Sequence, residues 1–280
     1  MRPTNPSPDF PFPHGSTGRR RAGVMAAAVA VGAMLAACGA FTAAPGDGPA
    51  ATTATTATAR HADQAANGVR VLWMGDSIAG AEAPAVEAAL KAGGVWFRNA
   101  TSDGGGTVVA GEHPVTIVAA KDTWKRLKKE LASFRPTVIA YQITSYDWGT
   151  PRQQLAAYQE LSRAAKDAGA RLVLVSAPPF KIDGFYKPHE DAIKSAPAMA
   201  AKVADVRYLD ASELWGDDYA ADRAQRATDG IHSCQQGAAA FAAWFVRRLG
   251  DLAGFTPPAP GVWATGPWTG DERFVKLGCG

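Results

Sequence analysis

Val69-Arg70-Val71-Leu72-Trp73-Met74-Gly75-Asp76-Ser77 is the stretch that decides the fold. Its first six residues are mostly large or β-branched apolar side chains without polar alternation, which reads as a strand buried on both faces, the kind found in parallel sheets covered by helices. Gly75 turns the chain, and the Ala-rich run through Pro84 to Lys91 reads as a helix. A strand that turns directly into a helix leaves its last residues at the carboxyl edge of the sheet, where open α/β sheets hold their ligands.

The same alternation continues downstream. Short apolar runs at Val95–Asn99, Thr137–Ile143, Arg171–Ser176 and Val206–Leu209 read as four further strands. Between and after them, Asp122–Phe134 has helical spacing with Trp124, Leu127 and Leu131 on one face, and Gln153–Ala168, Glu190–Val203 and Gly237–Leu249 read as helices. The expectation is a three-layer α/β/α domain with a five-stranded parallel sheet over residues 69–250. Residues 251–280 carry Trp263 and Trp268 among Gly, Pro and Thr without a period, and read as an irregular tail packed on the domain.

The segment before the domain differs in texture. Arg19-Arg20-Arg21 followed by the uncharged run Ala22–Ala37 reads as an export signal over 1–37, since 16 residues are too few for a permanent spanning helix. Leu35-Ala36-Ala37-Cys38 resembles a bacterial lipobox, which makes Cys38 the expected site of a diacylglyceryl thioether and the outer face of the cytoplasmic membrane the expected location; plain secretion is the alternative. Residues 38–68, rich in Ala and Thr, hold almost nothing to bury and read as a disordered tether.

The chain has 280 residues, 47% hydrophobic and 20% charged, ordinary for one buried core. Of 29 Lys and Arg and 26 Asp and Glu, four Arg and one Asp fall within 1–37, leaving 25 of each sign. A neutral mature chain offers no large electrostatic term for phosphate, so nucleic acid is not expected as a partner, and a monomer is. With Cys38 lipidated, Cys234 and Cys279 remain as an even pair in an oxidising compartment, so a disulfide is expected, two free thiols being the alternative. Closing that loop stabilises by roughly 3 to 4 kcal/mol in the chain-entropy model. No metal-ligand spacing and no dinucleotide fingerprint is present, so no metal and no cofactor are expected.

Two short motifs carry possible chemistry. Ser77 follows the first strand and opens a helix whose N-terminal N–H groups face any oxyanion formed there, although Ser also serves as a plain helix N-cap. Asp229-Gly230-Ile231-His232 lies between the last strand and the last helix, and an Asp three residues before a His is placed to hold its tautomer. His14, His61, His113 and His189 lack such an arrangement. Serine alone is a poor nucleophile and needs a base of this kind within hydrogen-bond reach.

Together the two motifs resemble the SGNH hydrolase superfamily. Its first block appears as Gly75-Asp76-Ser77, a second-block glycine is available in Asp103-Gly104-Gly105-Gly106, and its last block appears as Asp229-Gly230-Ile231-His232 with Gly237 following. The resemblance covers about residues 69–250. It implies the flavodoxin-like arrangement of the sheet, Ser77 as nucleophile, His232 as general base and then acid, Asp229 as its orienter, and the N–H groups of Ser77 and Gly105 in the oxyanion hole. The substrate it implies is an acyl ester, taken from location to be a cell-envelope glycan or lipid.

One block departs. The family places Gly-x-Asn-Asp after the third strand, its Asn donating to the oxyanion, whereas this chain has Thr144-Ser145-Tyr146-Asp147-Trp148. Loss of one such donor costs about 2.7 to 4 kcal/mol of transition-state stabilisation. Either Ser145 or Tyr146 supplies a substitute hydroxyl, or the site is slower or specialised. The variant block, with Ala177-Pro178-Pro179-Phe180, resembles SGNH domains attached to actinobacterial membrane acyltransferases. Two rivals to an esterase therefore stand: an O-acyltransferase using the same trio, and an inactive SGNH-like binding lipoprotein.

Overall fold

The computed structural model describes residues 68–279. The readings made for the signal at 1–37, for Cys38 and for the tether up to residue 67 lie outside the described residues.

Five strands form one parallel sheet: β1 (Arg70–Met74), β2 (Trp96–Asn99), β3 (Val138–Gln142), β4 (Arg171–Val175) and β5 (Arg207–Leu209), in the order β2-β1-β3-β4-β5. This is the flavodoxin-like order, and it places the topological switch between β1 and β3. The helices are α1 (Ser77–Ala92), α2 (Pro114–Ser133), α3 (Pro151–Asp167), α4 (Glu190–Ala200), the single turn α5 (Ser212–Trp215), α6 (Gln235–Ala253) and the short α7 (Glu272–Lys276).

Successive strand residues point to opposite faces, and the two cores follow that alternation. Val71, Trp73, Val138, Ala140, Val173 and Val175 face one core, shared with α1 and α6. Leu72, Met74, Ile139, Tyr141, Leu172 and Leu174 face the other, filled from α2, α3 and α4 by Leu127, Tyr158, Leu161, Ala196 and Ala200. Both faces are covered, which is why β1 and β3 are apolar along almost their whole length.

Two expectations are corrected. The helix expected from Asp122 begins at Pro114, eight residues earlier, because His113 caps it and Pro114 sets the first turn. Val115, Ile117 and Val118 on that turn are exposed, so their apolar character hid the period. The tail expected to be irregular from 251 starts later, since α6 runs to Ala253, and it contains α7. It is packed on the domain through buried Trp263 and Phe274, and the Cys234–Cys279 disulfide is present. Among the described residues, no helix is long and apolar enough to cross a membrane.

Candidate active site

The loops at the carboxyl edge converge on Ser77. Asp76 rather than Ser77 caps α1: its Oδ1 accepts from Ile78 N at 2.9 Å, so Ser77 is the first helical residue and its hydroxyl is left to other partners. Asp76 Oδ2 accepts from Ser145 N at 2.8 Å and Ser145 Oγ at 2.7 Å, tying the turn after β1 to the turn after β3. Burial pushes the Asp76 carboxyl up, and the Ser145 and Ile78 bonds draw it part of the way back.

Ser77 Oγ lies 2.9 Å from His232 Nε2, and His232 Nδ1 lies 2.6 Å from Asp229 Oδ2. The other Asp229 oxygen accepts from Ile231 N at 2.8 Å and His232 N at 3.0 Å, so the carboxylate orders both the ring and the loop that carries it. Partial burial pushes the Asp229 carboxyl up, but the His232 ring bond, the two backbone bonds and the His232 charge outweigh it and hold its pKa below the ordinary value. Residues 155 positions apart are thus joined through one imidazole.

The glycine loop after β2 closes the other side. Gly105 has φ +89°, and a Cβ on it would stand 3.0 Å from the Tyr146 ring. A Cβ on Gly106 would stand 2.6 Å from Gly75 O, so two backbones pass here at a separation only glycine permits. Tyr146 occupies the position where the family pattern has Asn, with its ring over Gly105 and stacked on Trp148 at 4.9 Å. Burial, Asp76 nearby and, in opposition, a bond with Tyr186 leave the Tyr146 hydroxyl with a raised pKa.

Ser145 does not supply a hydroxyl to the site. It is fully buried and its Oγ is engaged by Asp76 and by Tyr186 OH, so its part is to hold the two turns together. Asp147 is likewise structural: buried, it accepts from Thr107 Oγ1 at 2.5 Å, Tyr141 OH at 2.8 Å, Tyr158 OH at 2.7 Å, and Thr144 Oγ1 and N at 2.9 and 3.2 Å. Trp148 stacks on His189 at 3.7 Å and its Nε1 donates to Ser145 O. Among the described residues, no group of His, Cys, Asp and Glu is arranged to hold a metal ion.

Glu82 was not expected. It lies on the buried face of α1 between Ile78 and Val86, accepts from Gln142 Nε2 at 2.7 Å, and has the Arg226 charge nearby. Arg226 in turn donates to Ala224 O and Ile231 O and lies over the Trp215 ring, which fixes the loop bearing Asp229 and His232. The signal was legible: one acid set among apolar neighbours three and four residues away in Ile78-Ala79-Gly80-Ala81-Glu82-Ala83-Pro84-Ala85-Val86.

Burial pushes the Glu82 carboxyl up to about 8 despite Arg226 and Gln142. A raised carboxyl favours folding while the unfolded chain still holds its proton, and that stability is lost as pH rises between the ordinary value of 4.5 and about 8. Glu82→Gln keeps an acceptor for Gln142 without the titration. Its stability relative to wild type is expected to grow with pH, by on the order of 1 kcal/mol per pH unit, within this window and then level off. Urea melts of both proteins across the window check this, and a difference that does not change with pH contradicts it.

A search of curated proteins finds no match to this chain. Among solved structures, a protein of Bacteroides fragilis NCTC 9343 assigned as an acylhydrolase is similar at 15% identity and a TM-score of 0.51, covering 72% of this chain and 100% of that one. A GDSL-like lipase from Bacteroides thetaiotaomicron VPI-5482 is similar at 13% identity and a TM-score of 0.50, covering 70% and 98%. At these identities the likeness concerns the fold. The family model described as the SGNH domain fused to AT3 domains matches residues 43–239. The chain therefore belongs to the SGNH domain family, and its chemistry is of the acyl-hydrolysing or acyl-transferring kind.

Proposed function

We propose that the protein is a serine esterase that removes an ester-linked acyl group from a cell-envelope glycan or lipid. The observation that carries this reading is the continuous relay from Ser77 Oγ through His232 to Asp229 Oδ2, at 2.9 and 2.6 Å. Ser77 Oγ attacks the ester carbonyl carbon as its proton passes to His232 Nε2, and Asp229 stabilises the imidazolium. The carbonyl oxygen becomes an oxyanion facing the N–H of Ser77, which as the first residue of α1 has no intrahelical acceptor, and that of Gly105. Collapse breaks the bond to the alcohol oxygen, which leaves with the proton from His232. Water then attacks the acyl-serine, giving its proton to His232, and the acid departs as Ser77 recovers the proton.

With Ser145 engaged by Asp76, Tyr146 is the remaining candidate for the third donor. The envelope enters through the export and lipidation signals read in residues 1–38. Transfer to a sugar hydroxyl instead of water is the second reading, favoured by the family description, which couples this domain to AT3 domains.

Incubation of the full chain with short p-nitrophenyl esters and with acetylated sugars is the test. Release of free acid, unaccelerated by added sugar acceptors, is the expected result. Acyl groups recovered on the acceptor would favour transfer, and no turnover of any ester would favour the binding lipoprotein.

A further inference from the structure

One face of α2 is turned to solvent, and its two ends differ in chemistry. In the first turn Val115, Ile117 and Val118 are 42%, 50% and 61% exposed. Further along, Lys121, Lys125, Lys128 and Lys129 are exposed. At 100° per residue both sets fall within one outward arc of about 160°, with Asp122 as the one acid among them. The opposite side of the helix, with Thr116, Ala120, Thr123 and Leu127, is turned into the domain.

Neither end is what a solvated face requires. A helix packed on one side carries polar residues on the other, and three large apolar side chains together in water mark a contact surface. Phe185, 53% exposed, stands at the same end: its ring lies 5.5 Å from Trp148, which lies 5.5 Å from His113, the cap of α2. The lysines are not neutralised. Among the described residues none of the four has a carboxylate within ion-pair reach, although residues 38–280 as a whole hold 25 charges of each sign.

Apolar side chains beside a row of lysines match a bilayer that carries anionic lipid. The apolar groups enter the boundary of the acyl chains, and the lysine stems lie along it with their charges among the headgroups. The export and lipobox readings of residues 1–38 put a bilayer within reach, and the chain permits the pose. From Cys38 to Gly68 there are 30 residues, which span up to ~100 Å, against about 30 Å for the whole of α2. We infer that the outward face of α2 seats the domain on an anionic lipid bilayer, with Val115, Ile117 and Val118 inserted and the four lysines on headgroups. Val115 and Val118 also line a cavity of about 510 Å³ with Gly104 and Gly105, so the docked domain holds the glycine loop of the site at the membrane surface. The inference concerns where the domain sits and stands whichever acyl ester is cleaved.

The test is photocrosslinking of the full chain with benzoylphenylalanine in place of Val118, on vesicles of phosphatidylcholine with about one-third phosphatidylglycerol and on vesicles of phosphatidylcholine alone. A second chain carries the same group in place of Ala168, which is exposed between α3 and β4 at the other edge of the sheet, so an anchor through residues 1–38 does not by itself separate the two positions. Lipid adducts at position 118, confined to the anionic vesicles and absent at 168, are the expected result. Lys125→Gln combined with Lys129→Gln is expected to lower the ratio of docked to free domain, read from the adduct yield, about 25-fold, or about fivefold per lysine, at unchanged melting temperature. Benzoylphenylalanine in place of Ile117 serves where the first chain fails to fold. Equal adducts at 118 and 168, equal yields with and without phosphatidylglycerol, or no lipid adduct at either outward position overturn the inference. Chain-to-chain adducts at 118 in place of lipid also overturn it, and make a second copy of the chain the occupant.

Discussion

Ser77→Ala is expected to lower kcat on p-nitrophenyl acetate by about 10⁶-fold, and Asp229→Asn by about 10⁴-fold, with circular dichroism and melting temperature close to wild type in both. The inequality follows from the geometry. Removing the hydroxyl removes the attacking atom, whereas Asn at 229 keeps a side chain beside His232 Nδ1 but presents the wrong hydrogen-bonding character, so the imidazole is held in a tautomer unable to take the serine proton. Nor does Asp229 act on the ring alone, since its second oxygen holds the N–H groups of Ile231 and His232. The double variant is expected to be no slower than Ser77→Ala, because members of one relay fail as a unit. A cost below about tenfold for Asp229→Asn would reduce Asp229 to a loop brace rather than a partner in proton transfer.

The second large effect concerns stability rather than rate. Asp147→Ala is expected to destabilise the domain by about 3 to 5 kcal/mol, measured by urea denaturation at unchanged m-value. The carboxylate accepts five hydrogen bonds, from Thr107, Tyr141, Tyr158 and twice from Thr144, and all of these groups lie in the interior. Truncation leaves the hydroxyls of Tyr141 in β3, Tyr158 in α3 and Thr144 in the turn after β3 without an acceptor and Thr107 with only Val109 O at 3.3 Å, and water cannot reach them without opening the sheet edge. Asp147→Asn is expected to be milder but still costly, since its amide nitrogen meets donors where it needs acceptors. A loss under about 1 kcal/mol for the Ala variant would mean that these groups find other partners, and that Asp147 is not the hub of the turn after β3.

What the sequence disclosed and what it withheld divide along physical lines. β1 and β3 were legible because burial on both faces demands continuous apolar runs, and α1 because it follows directly from such a strand through Gly75. The start of α2 was not, because Val115, Ile117 and Val118 are apolar residues on the exposed side and so contradict the usual pattern. At the site, Ser77, Asp229 and His232 were legible because the chemistry needs those residue types at those offsets from strand and helix ends, and the structure places them within hydrogen-bond reach of one another. Ser145 illustrates the limit. Its hydroxyl was available in composition, but whether it faces the cavity or Asp76 depends on χ1 and on the depth of a loop, which spacing does not encode. Glu82 announces itself only as a charge in apolar surroundings, a signal that marks burial without naming the partner, and Arg226, set among Asp222, Arg223, Gln225 and Asp229, gives no such signal. Asp271, Glu272, Arg273 and Lys276 line the cavity at Ser77 and His232 from a stretch without period: the expected Cys234–Cys279 bond brings that stretch near His232, but which of its side chains face the cavity is not encoded in spacing.

The account stands on Ser77 as the covalent nucleophile. Reaction of the full chain with a fluorophosphonate, followed by peptide mass mapping, reads this directly. One adduct per chain, on the peptide containing Gly75-Asp76-Ser77 and absent from His232→Ala, is the predicted result. An adduct on another residue, or equal labelling of Ser77→Ala, would contradict it.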